Sequence, residues 1–512
     1  MNPAARCPGG WSLRLAVIFL WFAAIAWIRP LTGPDEGRYI GVALDMLQSG
    51  DWMVPRLNGF PFFHKPPLFY WISAASMSTF GLHEWAGRMP SILGATLAAF
   101  SLHAFVRRWA GRPAARYSVA VLASMPFFYI GAQFANLDML VAGCITATIL
   151  MAAHSELLRE REFPAGGARL AAFALAALGV LAKGLIGLVL PAAVLLLWCL
   201  LGRRSWRALR PWLSPAGWCI FLLIALPWPI AMQMQFPDFL DYFVVTQHFR
   251  RFAQTGFNNA HPFWFYMPVI AALTLPWFAL VPAGFRTAWQ ERRSLSEIDG
   301  LMACWLFVIV GFFSVPQSKL VGYVLPAVPP LAYFIGCIFF RWNRPDRMKK
   351  MVAAAALVCL ASVLLTARFA TAPASRLPLP DGAAIGPQDK VVMLDDYFYE
   401  LPFYWRFAQR SHIASDWTPS VAQEKDNWRK AMFDAAQFAP LAERRRLIAP
   451  ADIDALRCTP GVTWLIASAQ STAVARWVGG AEPVVGNRRV AAWKLAPADP
   501  ASSACRQAAA AP

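Results

Sequence analysis

Residues 168–201 read ARLAAFALAALGVLAKGLIGLVLPAAVLLLWCLL, and this stretch decides the fold class. It is 34 residues long, and Arg169 and Lys183 are its only charged side chains. A bilayer core about 30 Å thick is crossed by on the order of 20 apolar helical residues, fewer where flanking side chains snorkel. The stretch therefore predicts two membrane spans, 168–183 and 185–201, which meet at Lys183.

The composition of the whole chain supports a membrane protein. Of its 512 residues, 58% are hydrophobic and only 15% are charged, and the mean hydropathy is +0.43. These values do not fit a water-soluble surface. The 37 Phe, 23 Trp and 11 Tyr residues also exclude a largely disordered chain.

Outward from this stretch, the same criterion predicts nine further spans, eleven in all. The fold class we expect is therefore an α-helical polytopic membrane protein with about 11 to 13 transmembrane helices. No small-residue cleavage site follows the first span, which is expected to be a retained signal anchor. The further spans are 11–28, 89–106, 115–132, 138–154, 214–235, 262–283, 300–315, 320–340 and 350–370.

The formal charge of +18 is explained by topology, and nucleic acid is not an expected partner. Lys and Arg concentrate in cytoplasmic loops of membrane proteins. Nineteen basic residues fall in five short loops on one predicted side, and about nine fall on the other. The cytoplasmic set is Arg107, Arg108, Arg112, Arg116, Arg159, Arg161, Arg169, Arg203, Arg204, Arg207, Arg210, Arg286, Arg292, Arg293, Arg341, Arg344, Arg347, Lys349 and Lys350.

This charge pattern also sets the domain organisation. Residues 1–370 are expected to form the transmembrane domain, with external loops at 29–88 and 236–261. If the block 66–81 crossed the membrane, the four-arginine loop at 107–116 would face outward, so we expect this block to lie in the outer interface or to re-enter it.

The C-terminal residues 371–512 are more polar and have a different composition. Short strand-like runs at 390–394 and 462–466 and a helical stretch near 421–447 indicate a small α/β domain. An odd number of spans places this domain on the external side, which is the periplasm in a diderm bacterium. It contains Cys458 and Cys505, which an oxidising compartment would allow to pair.

Ionisable residues near the hydrocarbon boundary are functional candidates, because they are costly there unless they pair or face a cavity. Simpler explanations stay open: Arg38 could neutralise Asp35 or Glu36, Lys183 could snorkel, and the histidines could only form hydrogen bonds. On the predicted external side lie Asp35, Glu36, Arg38, His64, Lys65, Asp138, Lys183, His248, Arg250, Arg251, Lys319 and Tyr323.

The chemistry of this set suits a lipid phosphate. Cationic groups at headgroup depth bind phosphate, and neighbouring carboxylates serve as general bases or recognise amines. The sequence has no Walker loop and no Rossmann glycine fingerprint, so a nucleotide-activated substrate is not indicated. A lipid-linked donor is expected instead.

Several motifs in the first 340 residues are similar to a known family. They are GPDEGRY (33–39), SGDWMVPRLNGFPFFHKPPLFYW (49–71), LDMLV (137–141), LAKGLIGLVLP (181–191), HFRRF (248–252), HPFWFYMPV (261–269) and SKLVGYVLPAVPPLAY (318–333). Together they resemble the aminoarabinose (4-amino-4-deoxy-L-arabinose) lipid A transferases, relatives of the protein O-mannosyltransferases in the GT-C superfamily.

The resemblance implies a multi-pass enzyme of the bacterial inner membrane whose active site faces the periplasm. It would take a sugar from undecaprenyl phosphate and pass it to lipid A, a modification associated with polymyxin resistance. On this resemblance Lys65, Arg250, Tyr323 and Lys319 hold the donor phosphate.

The resemblance assigns further roles to acidic and histidine residues. Asp35 and Asp138 are the expected catalytic acids, and Glu36 and Arg38 are expected to orient substrate. His64 stands where relatives carry a carboxylate before the Lys-Pro pair, which leaves the identity of the sugar open. His64 and His248 are also candidate ligands of a divalent metal.

Two alternative functions stay open. A related transferase could use another sugar or another acceptor, either a different glycolipid or Ser and Thr of exported proteins. A lipid-sugar flippase or transporter belongs to a different class, and it would favour internal repeats and midplane charges. The charged candidates here gather on one face instead.

Overall fold

The structure is a computed structural model, and its described residues form two compact units. The first contains 1–28, 64–76 and 83–366, and the second contains 29–63, 77–82 and 367–512. Within these ranges the structure describes residues 9–202, 206–250, 259–290, 296–369, 377–380, 384–499 and 505–506.

The first unit is helical, and six of the helices in its described residues are long and apolar enough to cross a membrane. Two further spans are possible if each of two bent helix pairs is counted as one. The six are Met89–Trp109, Leu137–Glu160, Gly166–Lys183, Glu297–Ser314, Val321–Trp342 and Pro345–Phe369. The chain is thus a multi-pass membrane protein, and the count of eleven spans stays a prediction.

Three predicted spans are interrupted in the structure, each at a proline. The predicted span 115–132 consists of two helices, Arg112–Ala123 and Pro126–Ala132. Proline has no backbone N–H and cannot continue the hydrogen-bond ladder of a preceding turn, so it begins a new helix. The pair Pro215–Ala225 and Pro227–Gln235 bends by 44°, and the pair Tyr266–Leu273 and Trp277–Gly284 bends by 102°.

Shorter elements complete the first unit. Trp11–Ala23 and Ile186–Leu201 are apolar but have fewer than 18 residues. The helix in the predicted interfacial block, Leu68–Phe80, has 13 residues, too few to span the bilayer core. The remaining helical segments are Glu84–Gly87, Trp206–Leu213, Asp241–Arg250, Val281–Gln290, and, inside the span Val321–Trp342, Val321–Ala327 followed by Val328–Trp342.

Small residues bring two of the long helices into close contact. A Cβ added to Gly143 would lie 2.7 Å from the Gly94 Cα, so glycine at both positions allows the backbones of Met89–Trp109 and Leu137–Glu160 to touch. Membrane helices are held by such van der Waals packing, because lipid provides no hydrophobic drive between them. This contact fixes the start of Leu137–Glu160, where Asp138 lies.

The second unit is built on a six-stranded sheet, which confirms the predicted α/β character. We number the strands of the protein β1 Arg56–Leu57, β2 Phe60–Pro61, β3 Lys390–Leu394, β4 His412–Ala414, β5 Leu447–Ile448, β6 Thr463–Ser468, β7 Val485–Gly486 and β8 Val490–Leu495. The sheet order is β5-β4-β3-β6-β8-β7. The first four strands in this order are parallel to one another, and β8 is antiparallel to both of its neighbours.

Apolar side chains on one face of this sheet form the core of the second unit. Val392, Leu465 and Ala414 are fully buried there, with Trp493 and the helix residue Ile453 packed against them. The predicted helical stretch 421–447 is three short helices, because prolines begin two of the segments. The helices of the unit are Asp35–Ser49, Leu401–Trp405, Pro419–Ala422, Trp428–Ala436, Leu441–Arg444, Ile453–Arg457 and Ala475–Val478, with single turns at Pro450–Asp452 and Thr472–Val474.

The second unit also contains residues that lie far from its sheet in the sequence. Residues 29–63, predicted to be an external loop of the transmembrane domain, pack with the C-terminal segment. Arg410 forms a bidentate ion pair with buried Asp45, with N–O distances of 2.7 and 2.8 Å. Asn58 exchanges two 2.8 Å hydrogen bonds with the backbone of Ser411.

The predicted pairing of Cys458 with Cys505 is also present.

Candidate functional site

The first candidate centre lies in the helical unit, at the beginning of Leu137–Glu160. Asn136 caps this helix: its side-chain oxygen accepts a 2.6 Å hydrogen bond from the Asp138 amide, and its Nδ2 donates to Asp138 Oδ2 at 3.0 Å. Ser91 donates to the carbonyls of Phe134 and Asn136 and so holds the preceding turn. A carboxylate in the first helical turn is stabilised by the helix dipole. Asp138 is thus held in one orientation.

Lys183 meets Asp138 from another helix. It is the last residue of Gly166–Lys183, and Gly184 ends that helix with φ at 101°. Its ammonium forms an ion pair with Asp138 Oδ1, and only 12% and 8% of the two side chains are exposed. The same ammonium lies 4.4 Å from the centre of the Tyr323 ring, which adds a cation–π contact. Lys183 is therefore more than a snorkelling charge at a helix end.

Tyr323 and Gly322 come from the segment Val321–Ala327. A Cβ at Gly322 would collide with Asp138 Oδ2 and would lie 2.9 Å from its Cγ, so only glycine allows this close approach. The Tyr323 ring also packs on Phe313 at 5.3 Å. Asp138, Lys183 and Tyr323, three of the predicted candidates, are thus brought together by three separate segments.

Lys319 carries a positive charge in a buried position just before this segment. The residue is 2% exposed, and its ammonium donates to the backbone carbonyls of His261, at 2.9 Å, and Pro316. Within the described chain, the Lys319 side chain has only these two carbonyls as partners, and no carboxylate neutralises its charge. Burial lowers the pKa of Lys319 from its ordinary value. Two carbonyls leave one of the three ammonium donors for an anion.

The predicted phosphate ligands Lys65 and Arg250 are placed only in part. Lys65 is half-buried, and its neighbour His64 lies 6.0 Å from the ring of Tyr242. Tyr242 belongs to the helical segment Asp241–Arg250, so the His64-Lys65 pair lies beside the segment that carries Arg250. The side chains of His248 and Arg250 are outside the described set, as is residue 251. A meeting of Lys65 with Arg250 stays a prediction.

Asp35 and Glu36 lie in the second unit and differ in accessibility. The Glu36 side chain is completely buried, and Arg29 pairs with both of its oxygens at 2.5 and 3.0 Å. Thr32 also donates its backbone and hydroxyl groups to Glu36. Asp35 is 37% exposed at the side chain and pairs with Arg38. This geometry suits a loop-holding role for Glu36 better than the predicted orientation of substrate.

The described part of the chain contains no cluster of metal-binding side chains. Across those residues, no group of three His, Cys, Asp or Glu side chains is close enough to hold a metal ion. The metal role of His64 and His248 stays a prediction.

Three residues with roles in these contacts are not predicted from the sequence: Asn136 and Gly322 in the first unit, and Arg29 in the second. Asn136 could have been recognised from the Asn-Leu-Asp order, since Asn is a preferred cap and an acidic residue is favoured in the first turn. Arg29 follows a predicted span directly and was counted only as a loop charge. Gly322 carries no chemical signal, and only its contact with Asp138 reveals its role.

Several known proteins are similar to this chain. Residues 64–230 match the family described as dolichyl-phosphate-mannose-protein mannosyltransferase. Over 342 residues the chain is 35% identical to an undecaprenyl phosphate-alpha-4-amino-4-deoxy-L-arabinose arabinosyl transferase of Sodalis glossinidius. This match covers 64% of this chain and 59% of that protein. The corresponding transferase of Aeromonas hydrophila is 32% identical over 345 residues, covering 66% and 60%.

The predicted family resemblance is confirmed. The match spans about three fifths of the length of these curated relatives. The fold is that of ArnT from Cupriavidus metallidurans, solved bound to undecaprenyl phosphate: the TM-score is 0.76 at 20% identity, with 95% of this chain and 98% of that chain covered. The predicted GT-C fold class is therefore confirmed as well.

Proposed function

We propose that the protein is a membrane glycosyltransferase that moves 4-amino-4-deoxy-L-arabinose from undecaprenyl phosphate to lipid A. The observation that carries this proposal is the 35% identity over 342 residues to a transferase named for this donor. We also propose that the reaction takes place on the periplasmic side of a bacterial inner membrane. The support is the charge bias, since the candidate residues lie opposite the nineteen basic residues of the predicted cytoplasmic loops.

In this proposal the donor phosphate is held by Lys65, Arg250, Lys319 and Tyr323. When the sugar C1–O bond breaks, undecaprenyl phosphate leaves with the bonding electrons, and its phosphate gains negative charge. Preorganised cations stabilise that charge strongly in a dry site, and losing one such contact costs about 100- to 1000-fold in rate. The buried ammonium of Lys319, neutralised by no carboxylate in the described chain, supports this assignment.

Asp138 and Asp35 are the proposed catalytic and substrate-binding acids. A lipid A phosphate oxygen that attacks C1 is already anionic, so a strong base is not required. A fixed carboxylate instead binds the sugar amine, and the Lys183 ion pair holds Asp138 in one orientation for that task. Arg38 positions Asp35 in the same way in the first turn of the helix Asp35–Ser49.

The test is mass spectrometry of lipid A from a strain that lacks the gene and is complemented with single variants. The wild-type protein should add the mass of one aminoarabinose residue to lipid A. Lys319→Met and Asp138→Asn should lower that addition at least about 100-fold. Lys349→Met is the matched control, because Lys349 is 79% exposed in a solvated pair with Asp346 and should be fully active.

Two results would count against the proposal in different ways. Full activity of Lys319→Met at equal expression would remove the donor-phosphate assignment. No aminoarabinose on lipid A with the wild-type protein would remove the substrate assignment, and thermal unfolding of each purified variant would show that loss of activity is not loss of fold.

A second candidate is transfer of another sugar or to another acceptor, including hydroxyl groups of exported proteins. The match of residues 64–230 to a protein mannosyltransferase family and the histidine at position 64 favour it. Release of undecaprenyl phosphate by the purified protein, without any change in lipid A, would support this candidate. It would also argue against simple lipid-sugar transport, which breaks no bond.

A further inference from the structure

A cavity of about 480 Å³ lies in the helical unit, among residues that the proposed reaction does not use. Its walls are the helices Gly9–Ala23, Met89–Trp109 and Arg112–Ala123. The volume falls in the range of small-molecule sites, about 300 to 1,000 Å³. Some of the basic residues that line the cavity lie in predicted loops. All of these belong to the side expected to face the cytoplasm, opposite the candidate active site.

One end of the cavity is strongly basic. Four arginines line it, and no acidic residue does: Arg14, Arg107, Arg112 and Arg116. Within the described chain, none of these guanidinium groups is paired with a carboxylate. Other arginines of the predicted cytoplasmic side behave differently, as in the 2.5 Å ion pair of Arg159 with Glu156. Four like charges around one space repel each other and favour an anion between them.

Aromatic contacts hold two of these arginines in place. Trp11 lies under both Arg14, at 5.5 Å, and Arg107, at 4.8 Å, measured from the guanidinium carbon to the ring centre. Cation–π contacts of this kind fix the direction of the guanidinium groups without neutralising them. Arg112 and Arg116 are exposed and complete the basic end.

The other end of the cavity is apolar. Val17, Ile18, Val119 and Ala123 line it, and the Trp21 indole donates a 2.8 Å hydrogen bond to the Ala123 carbonyl at its base. Val17 is 58% exposed on a helix apolar enough to lie in the membrane. A soluble anion would leave this apolar half unfilled, whereas an acyl chain would cover it.

We infer that this cavity binds an anionic phospholipid of the cytoplasmic leaflet, with its phosphate on the four arginines and an acyl chain on the apolar half. Basic pockets between transmembrane helices on the cytoplasmic side recognise anionic headgroups in this way. The lipid joins Gly9–Ala23 to its two neighbouring helices. This inference is independent of the proposed transferase activity.

The test measures lipid binding to the full-length protein in detergent. Native mass spectrometry should detect phosphatidylglycerol retained on the wild-type protein, and added phosphatidylglycerol should raise the melting temperature, whereas phosphatidylcholine and inorganic phosphate should not. Arg112→Gln with Arg116→Gln should weaken phosphatidylglycerol binding by about 10- to 30-fold, since each arginine near anionic lipid contributes about a fivefold factor or slightly less. Both side chains are exposed, so the fold should be unaffected.

Two matched variants separate the cavity from general surface charge. Arg344→Gln with Arg347→Gln removes two exposed charges from another predicted cytoplasmic loop and should leave binding unchanged. Val119→Trp fills the apolar half with all four arginines present and should also lower phosphatidylglycerol retention. Equal loss with the Arg344 and Arg347 variant, unchanged binding after either cavity variant, or an equal effect of inorganic phosphate would overturn the inference.

Discussion

Replacing Lys183 by Met should destabilise the helical unit strongly, because it leaves a buried carboxylate without its cation. The Asp138 and Lys183 side chains are only 8% and 12% exposed, and Asp138 would keep just the Asn136 cap. Removing one partner of a buried ion pair typically costs about 3–5 kcal/mol of the free energy of unfolding. The cation–π contact with Tyr323 is lost as well.

The double variant Asp138→Asn with Lys183→Met removes both charges and should recover part of this loss. We expect a coupling free energy of about 1–3 kcal/mol between the two positions. The assay is reversible unfolding of the wild-type protein, both single variants and the double variant in mixed micelles. This cycle compares stabilities and needs no activity.

An exposed pair of the same type provides the control. Lys349 and Asp346 are 79% and 87% exposed, and an identical cycle should give a coupling below about 1 kcal/mol. If the Asp138–Lys183 coupling is no larger than this control value, the pair does not hold the two helix ends together, and the reasoning is wrong.

Three further predictions concern other contacts. Gly322→Ala should push the Asp138 carboxylate away from Lys183, reduce sugar transfer at least tenfold and destabilise the protein by about 1–3 kcal/mol. A Cβ at Gly311 meets nothing within 4 Å, so the control Gly311→Ala should not change the result of the lipid A assay. Burial, with two nearby cations, lowers the pKa of His412 from 6.5 to about 4. The unfolded state therefore binds the proton first, so stability should fall by up to about 3 kcal/mol between pH 6.5 and 4, and subtraction of a His412→Gln pH profile should isolate this loss. Glu36→Gln should lower the melting temperature of the protein more than Asp35→Asn, because Glu36 is the buried partner of Arg29; equal shifts in thermal unfolding would contradict the loop-holding role.

Much of the helical unit could be predicted because hydropathy is a local property. The blocks 138–154 and 168–183 became the helices Leu137–Glu160 and Gly166–Lys183 within a few residues at most ends. Helix breaks were predicted less well. The apolar block 115–132 gives no hydropathy signal for its interruption, although Pro126 gives a backbone one.

The candidate site could be predicted as a set of residue types but not as a set of partners. Ionisable side chains are costly in free energy at the bilayer boundary, and this criterion selected Asp138, Lys183 and Tyr323. It also selected Glu36, which the fold buries against Arg29. Charge alone does not distinguish a residue that faces a substrate from one that holds a loop, because both are ionised groups that need a partner.

Transfer free energies and motif order are read residue by residue, so the amino-acid order alone predicts a multi-pass membrane protein of the GT-C class with a C-terminal α/β part. The pairing of Lys183 with Asp138, 45 positions away, and the packing of residues 29–63 with the C-terminal sheet appear only in the folded chain. It also gathered four arginines around one cavity. Each of these depends on contacts between distant segments, whose free energy no local pattern contains.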